Sequence, residues 1–181
     1  MAEQRPFEFK GVNHLALVCR DMKKTVEFYR DTLGMPLIKT INLPNNSGQH
    51  FFFDCGNGDC IAFFWFPDAP KAAPGISAPS TLPTRGSFVS AHGSMNHIAL
   101  NVPAEKFDEY YQRLIERGVD VTPILNHDNS PMQVSAEVTD DVFVRSVYFF
   151  DPDGICLEFA SWTKTFDESD VAHEPMSAEQ V

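Results

Sequence analysis

The stretch GSMNHIALNV, residues 93–102, repeats the pattern of KGVNHLALVC, residues 10–19. In both stretches a glycine precedes an Asn-His pair, and a short apolar run follows the histidine. The two pairs are Asn13-His14 and Asn96-His97. One such run is typical of an ordinary buried strand, but two in a chain of 181 residues indicate an internal repeat.

The sequence after each run predicts a helix. Residues 21–34 begin with Asp21, a good N-cap, carry apolar residues at helical spacing and end at a glycine. Residues 103–118 repeat this pattern, with Pro103 as an early helical residue and a glycine as the stop. The repeat therefore extends beyond the Asn-His pairs.

Three strand-like segments follow each predicted helix. They are PLIKTINL, QHFFFDCG and CIAFFWF in the first half, and DVTPIL, VRSVYFF and ICLEFAS in the second. The turns GNGD and DPDG separate the last two segments of each half. A helix covers only one face of such a small sheet. We therefore predict an α+β fold of two tandem βαβββ modules that form a curved mixed sheet around a shared cup.

The repeat also sets the domain boundaries. We place the first module at residues 9–66 and the second at residues 95–162. Residues 67–94, the linker, are rich in Pro, Gly and Ser and fit a plain connection, a lid or an oligomer arm. Residues 163–181 form an acidic C-terminal tail.

Composition restricts the class of partner. The formal net charge of −11 argues against nucleic acid or an anionic membrane as the partner. No apolar run approaches the roughly 20 residues of a membrane span, and the N-terminus lacks the apolar centre of a signal peptide. We therefore expect a cytoplasmic protein, whose four cysteines are free thiols because they lack metal-binding spacing.

The repeat resembles the vicinal oxygen chelate superfamily, which includes glyoxalase I, bleomycin-resistance proteins, methylmalonyl-CoA epimerase and extradiol ring-cleaving dioxygenases. The resemblance covers about residues 9–162 and is most specific at the two Asn-His pairs and at FFDPDGICLEF, residues 149–159. It implies a divalent metal in the cup, held by the first and last strand of each module. We align the last strand of each module, CIAFFWF with ICLEFAS, by the turns GNGD and DPDG that precede them. The four metal-binding positions of the family then fall at His14, Phe63, His97 and Glu158.

Three of these four positions carry residues that can bind a metal, as the resemblance implies. Two imidazoles and one carboxylate form the facial triad of non-haem Fe(II) oxygenases, which leaves sites free for substrate and O₂. A buried Glu158 would also be costly without a charge partner or a metal. We therefore predict that His14, His97 and Glu158 bind Fe(II), with Mn(II) or another divalent metal as a substitute. Phe63 departs from the four-ligand pattern of glyoxalase-like enzymes and favours the dioxygenase branch.

The resemblance also implies two catalytic residues. Tyr148 lies ten residues before Glu158, where extradiol enzymes place a hydrogen-bonding tyrosine. His50 matches their additional histidine and, since an imidazole titrates near neutral pH, suits a general acid or base. A further histidine that those enzymes carry shortly before the tyrosine is missing, and His127 is the nearest substitute.

The leading hypothesis is an Fe(II)-dependent extradiol-type dioxygenase that cleaves a catechol-like aromatic with O₂. Aromatic residues on two adjacent strands, including Phe52 and Phe64, favour a flat hydrophobic substrate. One alternative is a metal-dependent isomerase, epimerase or lyase, and another is a non-catalytic binding protein of the bleomycin-resistance type. The resemblance further implies a homodimer, and the sequence permits a cup within one chain or one shared across the dimer.

Overall fold

Each half of the chain folds into a mixed β-sheet with one principal helix. The computed structural model describes residues 10–171 and 173–176. Residue 9 of the predicted first module, and residues 172 and 177–181 of the predicted tail, lie outside the described residues. No helix of the described part has the length and apolar character needed to span a membrane.

The first half forms a four-stranded sheet in the order β1-β4-β3-β2, in which β1 and β4 run parallel. The other neighbouring strands run antiparallel. Helix α1 continues into a π-helical segment, and a 3₁₀ turn precedes β3. The elements are β1 (His14–Cys19), α1 (Met22–Val26), the π-helical segment (Glu27–Thr32), β2 (Leu37–Asn42), the 3₁₀ turn (Pro44–Asn46), β3 (Gln49–Gly56) and β4 (Asp59–Trp65).

The second half forms a five-stranded sheet in the order β5-β9-β8-β6-β7, in which β5 and β9 run parallel. A 3₁₀ turn leads into α2, and another follows β9. The elements are β5 (Ile98–Asn101), the 3₁₀ turn (Ala104–Lys106), α2 (Phe107–Glu116), β6 (Leu125–His127), β7 (Val134–Ser135), β8 (Val144–Phe150), β9 (Cys156–Trp162) and the last 3₁₀ turn (Glu168–Val171).

The α+β class with mixed sheets is confirmed, but the predicted single curved sheet is not observed. Within the described residues, no ladder joins the four-stranded sheet to the five-stranded one. The predicted strand over residues 120–125 is also wrong, since β6 begins only at Leu125. Pro123 has no N–H to donate to a ladder, and Val121 forms just an isolated bridge with Phe149.

The first helix begins and ends as predicted. The Asp21 carboxylate accepts hydrogen bonds from the backbone N–H groups of Lys23 (3.1 Å) and Lys24 (3.2 Å). Gly34 adopts φ +79°, a left-handed conformation that glycine tolerates at a helix end. In the second module, Pro103 precedes the 3₁₀ turn and α2 starts four residues later at Phe107.

Both modules contribute to one hydrophobic core. Tyr29, Phe53 and Phe63 enter it from the first module, and Phe149 and Leu157 from the second. The Tyr29 hydroxyl donates to a carboxylate oxygen of Asp151 at 3.1 Å, which adds a polar contact between the modules. Because this core occupies the helix-covered face of each sheet, the opposite faces remain for function.

The Asp151 carboxyl makes stability dependent on pH. Burial raises its pKa to about 6, although its Oδ1 accepts hydrogen bonds from the N–H groups of Asp153 and Ile155. The folded protein therefore holds this proton more tightly than the unfolded chain, whose Asp has a pKa of about 3.9. The resulting stabilisation is complete below about pH 3.9 and is lost as the pH rises through about 6.

We therefore expect the free energy of unfolding to fall by ~1–3 kcal/mol between pH 4 and pH 7 through Asp151 alone. The Asp151→Asn variant keeps an oxygen acceptor for both N–H groups and cannot ionise. Its free energy of unfolding should therefore fall less over this pH range, by the ~1–3 kcal/mol that Asp151 contributes. Urea denaturation at several pH values measures the difference. Asp140→Asn, on an exposed loop, is the matched control and should follow the wild type.

Candidate metal centre

His97 and Glu158 face each other on the second sheet. The parallel pairing of β5 with β9 sets Ala99 opposite Glu158, and His97 lies just before β5. The Nε2 atom of His97 is 3.0 Å from the Oε2 atom of Glu158. Glu158 is 5% exposed, whereas the side chain of His97 is 32% exposed. The pair therefore joins a buried carboxylate to an imidazole that solvent or a ligand can reach.

Each histidine of the repeat is oriented by the asparagine before it. The Nδ1 atoms of His97 and His14 lie 2.8 and 2.7 Å from the Oδ1 atoms of Asn96 and Asn13. The Asn96 Nδ2 atom donates to the Phe88 carbonyl at 2.8 Å, which sets its Oδ1 toward His97. Because an amide oxygen only accepts, Nδ1 carries the hydrogen and the neutral ring has its lone pair on Nε2, as in most metal-binding histidines.

The surroundings of Glu158 fit a cation. Its Oε1 accepts a hydrogen bond from the Ser146 hydroxyl, and it forms no ion pair with Lys or Arg among the described residues. With Nδ1 of His97 protonated, the Nε2 lone pair meets a carboxylate oxygen, an arrangement that needs a proton or a metal ion between the two atoms. A nitrogen and a carboxylate oxygen are donors suited to Fe, Mn or Zn.

His14 lies apart from this pair. It is exposed at the start of β1 on the first sheet, with its ring 5.8 Å from that of Phe52. In the part of the chain that the structure describes, no three His, Cys, Asp or Glu residues are grouped closely enough to hold a metal. A single chain therefore brings together two of the three predicted ligands, His97 and Glu158.

The predicted equivalence of Phe63 and Glu158 is wrong by one residue. The β1–β4 ladder pairs Ala16 with Ala62, just as β5–β9 pairs Ala99 with Glu158, so Ala62 is the counterpart of Glu158. Phe63 points into the core, with its ring 4.8 Å from that of Tyr29. Alignment on the turns failed because the loop between β3 and β4 is shorter than that between β8 and β9.

Tyr148 lies beside the pair. It is directly opposite Glu158 in the β8–β9 ladder, and its ring is 5.6 Å from that of His97. Burial, with the nearby Glu158 carboxylate, raises the pKa of the Tyr148 phenol well above its usual value of about 10. The phenol therefore stays protonated at neutral pH and can act as a hydrogen-bond donor.

His50 lies on the first sheet, on the face that carries His14, and not on the sheet that carries Glu158. His50 is buried on β3, stacks on Phe64 with ring centroids 3.6 Å apart, and has Nδ1 3.1 Å from the Phe63 carbonyl oxygen. Its ring is 4.3 Å from that of Phe52, which also contacts His14. His50 and His14 therefore belong to one face of the first sheet.

His127 lies closer to the centre than the sequence could indicate. It ends β6, and its ring is 6.5 Å from that of Tyr148. Its Nε2 atom is buried without a hydrogen-bond partner. The predicted strand over residues 120–125 ended before this position, so strand alternation could not assign His127 to a face of the sheet.

Two mixed sheets, few helices and repeated Asn-His pairs define a protein of the glyoxalase-like fold. Residues 11–159 match the Glyoxalase/Bleomycin resistance protein/Dioxygenase superfamily, and the chain belongs to this superfamily.

The relatives span several activities. The metallothiol transferase FosB of Shouchella clausii is 26% identical over 154 residues, which are 84% of this chain and 81% of FosB. The putative ring-cleaving dioxygenase MhqE of Bacillus subtilis is 24% identical over 116 residues, 62% of this chain but 33% of MhqE. The structure of the fosfomycin resistance protein FosX of Listeria monocytogenes, complexed with Mn(II) and sulfate, has a TM-score of 0.52. It is 22% identical and covers 86% of this chain and 95% of FosX.

Asn96 provides a test of the centre that leaves His97 and Glu158 unchanged. Asn96→Ala removes the acceptor that orients His97, so we expect Mn(II) affinity to fall by roughly 10–100-fold. Isothermal titration calorimetry measures this, with Asn101→Ala, an exposed asparagine on β5, as the control. Equal Mn(II) affinity in the Asn96 and Asn101 variants would contradict the assigned role of Asn96.

Proposed function

We propose that the protein is a divalent-metal enzyme whose centre is completed in a homodimer, by His97 and Glu158 of one copy and His14 of a second. The observation that carries the proposal is the His97–Glu158 pair, in which Nε2 and a buried carboxylate oxygen face each other at 3.0 Å. The FosX structure supports it, since a protein with the same fold is seen there with Mn(II).

The open face of the first sheet supports a second copy. Alternation along β1 sends His14, Ala16 and Val18 to one side, and all three are exposed. Val18 is 50% exposed, and Ile41, on β2 at the other edge of the same sheet, is 36% exposed. An uncovered apolar sheet face is costly in water, so a partner that covers it while receiving His14 resolves both features.

For the reaction, we propose extradiol-type cleavage of a catechol-like aromatic. Fe(II) held by His97, Glu158 and the second copy's His14 would bring a vicinal diol and O₂ together for reaction. Ser146 holds the Glu158 carboxylate in place, and the protonated Tyr148 phenol donates a hydrogen bond to a substrate oxygen. His50 of the second copy, on the same face as His14, accepts a proton from the diol.

The neighbours of the centre favour a flat, uncharged ring. The rings of Phe88 and Tyr148 lie beside His97, and those of Phe52 and Phe64 beside His50. Glu158 forms no ion pair with Lys or Arg in the described residues, so no cation in contact with this carboxylate offsets its repulsion of an anionic substrate.

Metal-dependent chemistry without O₂, such as that of an isomerase, epimerase or lyase, is the second candidate. The observation in its favour is the extent of the matches, because FosB aligns over most of its length whereas MhqE aligns over 33%. The two candidates share the metal ligands and differ in oxygen uptake.

Complementation between variants tests the shared centre. His14→Ala and His97→Ala dimers should each lose tight Mn(II) binding, because every centre lacks a ligand. Refolded together, the two chains form a heterodimer with one intact centre, so we expect about one tight Mn(II) site per heterodimer. Electron paramagnetic resonance and calorimetry count the sites, and a mixture that binds no Mn(II) would contradict the shared centre.

Oxygen uptake tests the reaction. Protein prepared under nitrogen and loaded with Fe(II) should consume O₂ only when a catechol is added and yield a coloured ring-opened product. Glu158→Gln should lower the rate by more than about 100-fold, because it removes a ligand. Glu137→Gln, at an exposed position, is the control. Bound metal with no O₂ uptake on any catechol would favour the second candidate.

A further inference from the structure

The linker folds back onto the second module. Leu82 is 3% exposed and packs in a cluster with Tyr148 and Cys156, to which Phe88 adds its partly buried ring. Cys156 and Glu158 lie on the same side of β9 by strand alternation. The linker therefore contacts the face of the second sheet that carries the candidate centre.

Polar contacts hold the linker in this position. The Arg85 guanidinium donates two hydrogen bonds to the Asp120 carboxylate, at 2.6 and 2.9 Å, and one to the Val121 carbonyl at 2.6 Å. Within the linker, the Thr81 hydroxyl donates to the Ser87 carbonyl at 2.9 Å. A bidentate Arg–carboxylate pair restricts orientation, so the path of the chain before Phe88 is defined.

Phe88 lies directly beside the centre. Its ring centroid is 5.7 Å from that of His97 and 5.7 Å from that of Tyr148. Its carbonyl accepts a hydrogen bond from Asn96 Nδ2, while the Oδ1 of the same amide faces His97 Nδ1. One asparagine therefore connects the backbone at Phe88 to the orientation of His97.

Some side chains of the linker hold it on the second module, and another faces the candidate centre. Leu82 is nearly inaccessible and Arg85 is engaged by Asp120 and Val121, so these two residues anchor the segment. Phe88 is only partly buried, although it touches two rings of the centre. Its ring can therefore contact a molecule bound beside His97.

We propose that Phe88 is a specificity-determining residue that forms one wall of the substrate site and limits bound aromatic diols to a single ring. This inference rests on the proposed function. A ring wall favours a flat substrate through aromatic contact and excludes a larger one by volume. Truncation of Phe88 removes the wall while His97, Glu158 and the anchors of the linker remain.

Relative affinity for two probes tests the inference. We would titrate the Mn(II)-loaded dimer under nitrogen with catechol and with naphthalene-2,3-diol, which differ by one fused ring. In Phe88→Ala, the ratio of naphthalenediol to catechol affinity should rise at least about tenfold, and Phe88→Leu should show a smaller rise. Val89→Ala, adjacent in the linker and 72% exposed, should keep the wild-type ratio.

The outcomes separate the inference from the proposed function. The Mn(II) affinity of each variant is measured first. If Phe88→Ala binds Mn(II) weakly, the ratio of naphthalenediol to catechol affinity is taken from Phe88→Leu instead. An unchanged ratio in a protein that binds catechol overturns the role of Phe88 and leaves the proposed function intact. Failure of the wild type and every variant to bind either diol overturns the proposed substrate class, and the role of Phe88 with it.

Discussion

Parallel pairing of the first and last strands of each module is the constraint on which the rest of the structure depends. In the second module it brings His97, just before β5, next to Glu158 in the middle of β9. The antiparallel β8 then presents Tyr148 and Ser146 on the same face, because alternation along a strand is fixed by the pleat. The opposite face is covered by the helix and belongs to the core.

The same pairing in the first module gives a different result. Ala62 occupies the position of Glu158, so this module offers His14 and no carboxylate. One face of the first sheet therefore carries the exposed His14, the buried His50 and several apolar side chains, whereas the second sheet carries His97 and Glu158. The two halves thus share their strand geometry but differ in their chemistry, which is the physical basis for proposing a centre shared between two copies.

Hydrogen bonds couple this scaffold to its surroundings. Asn96 contacts both His97 and the linker backbone, so the position of the linker and the orientation of the imidazole are linked. Ser146 holds one oxygen of Glu158 and leaves the other for His97. The hydrogen bond between Tyr29 and Asp151 joins the modules through a carboxyl whose burial makes it sensitive to pH.

The sequence by itself determined the repeat, the α+β class, the cap at Asp21 and the strands that carry His14, Tyr148 and Glu158, because each depends on local periodicity and turn chemistry. Tertiary structure decided what local patterns do not contain. Ladder register, which depends on loop length, assigned Ala62 instead of Phe63 as the counterpart of Glu158. Packing of distant segments placed Phe88 and His127 beside Tyr148, and the separation of the two sheets kept His14 away from Glu158. These relations join residues far apart in the chain, so only the folded molecule specifies them.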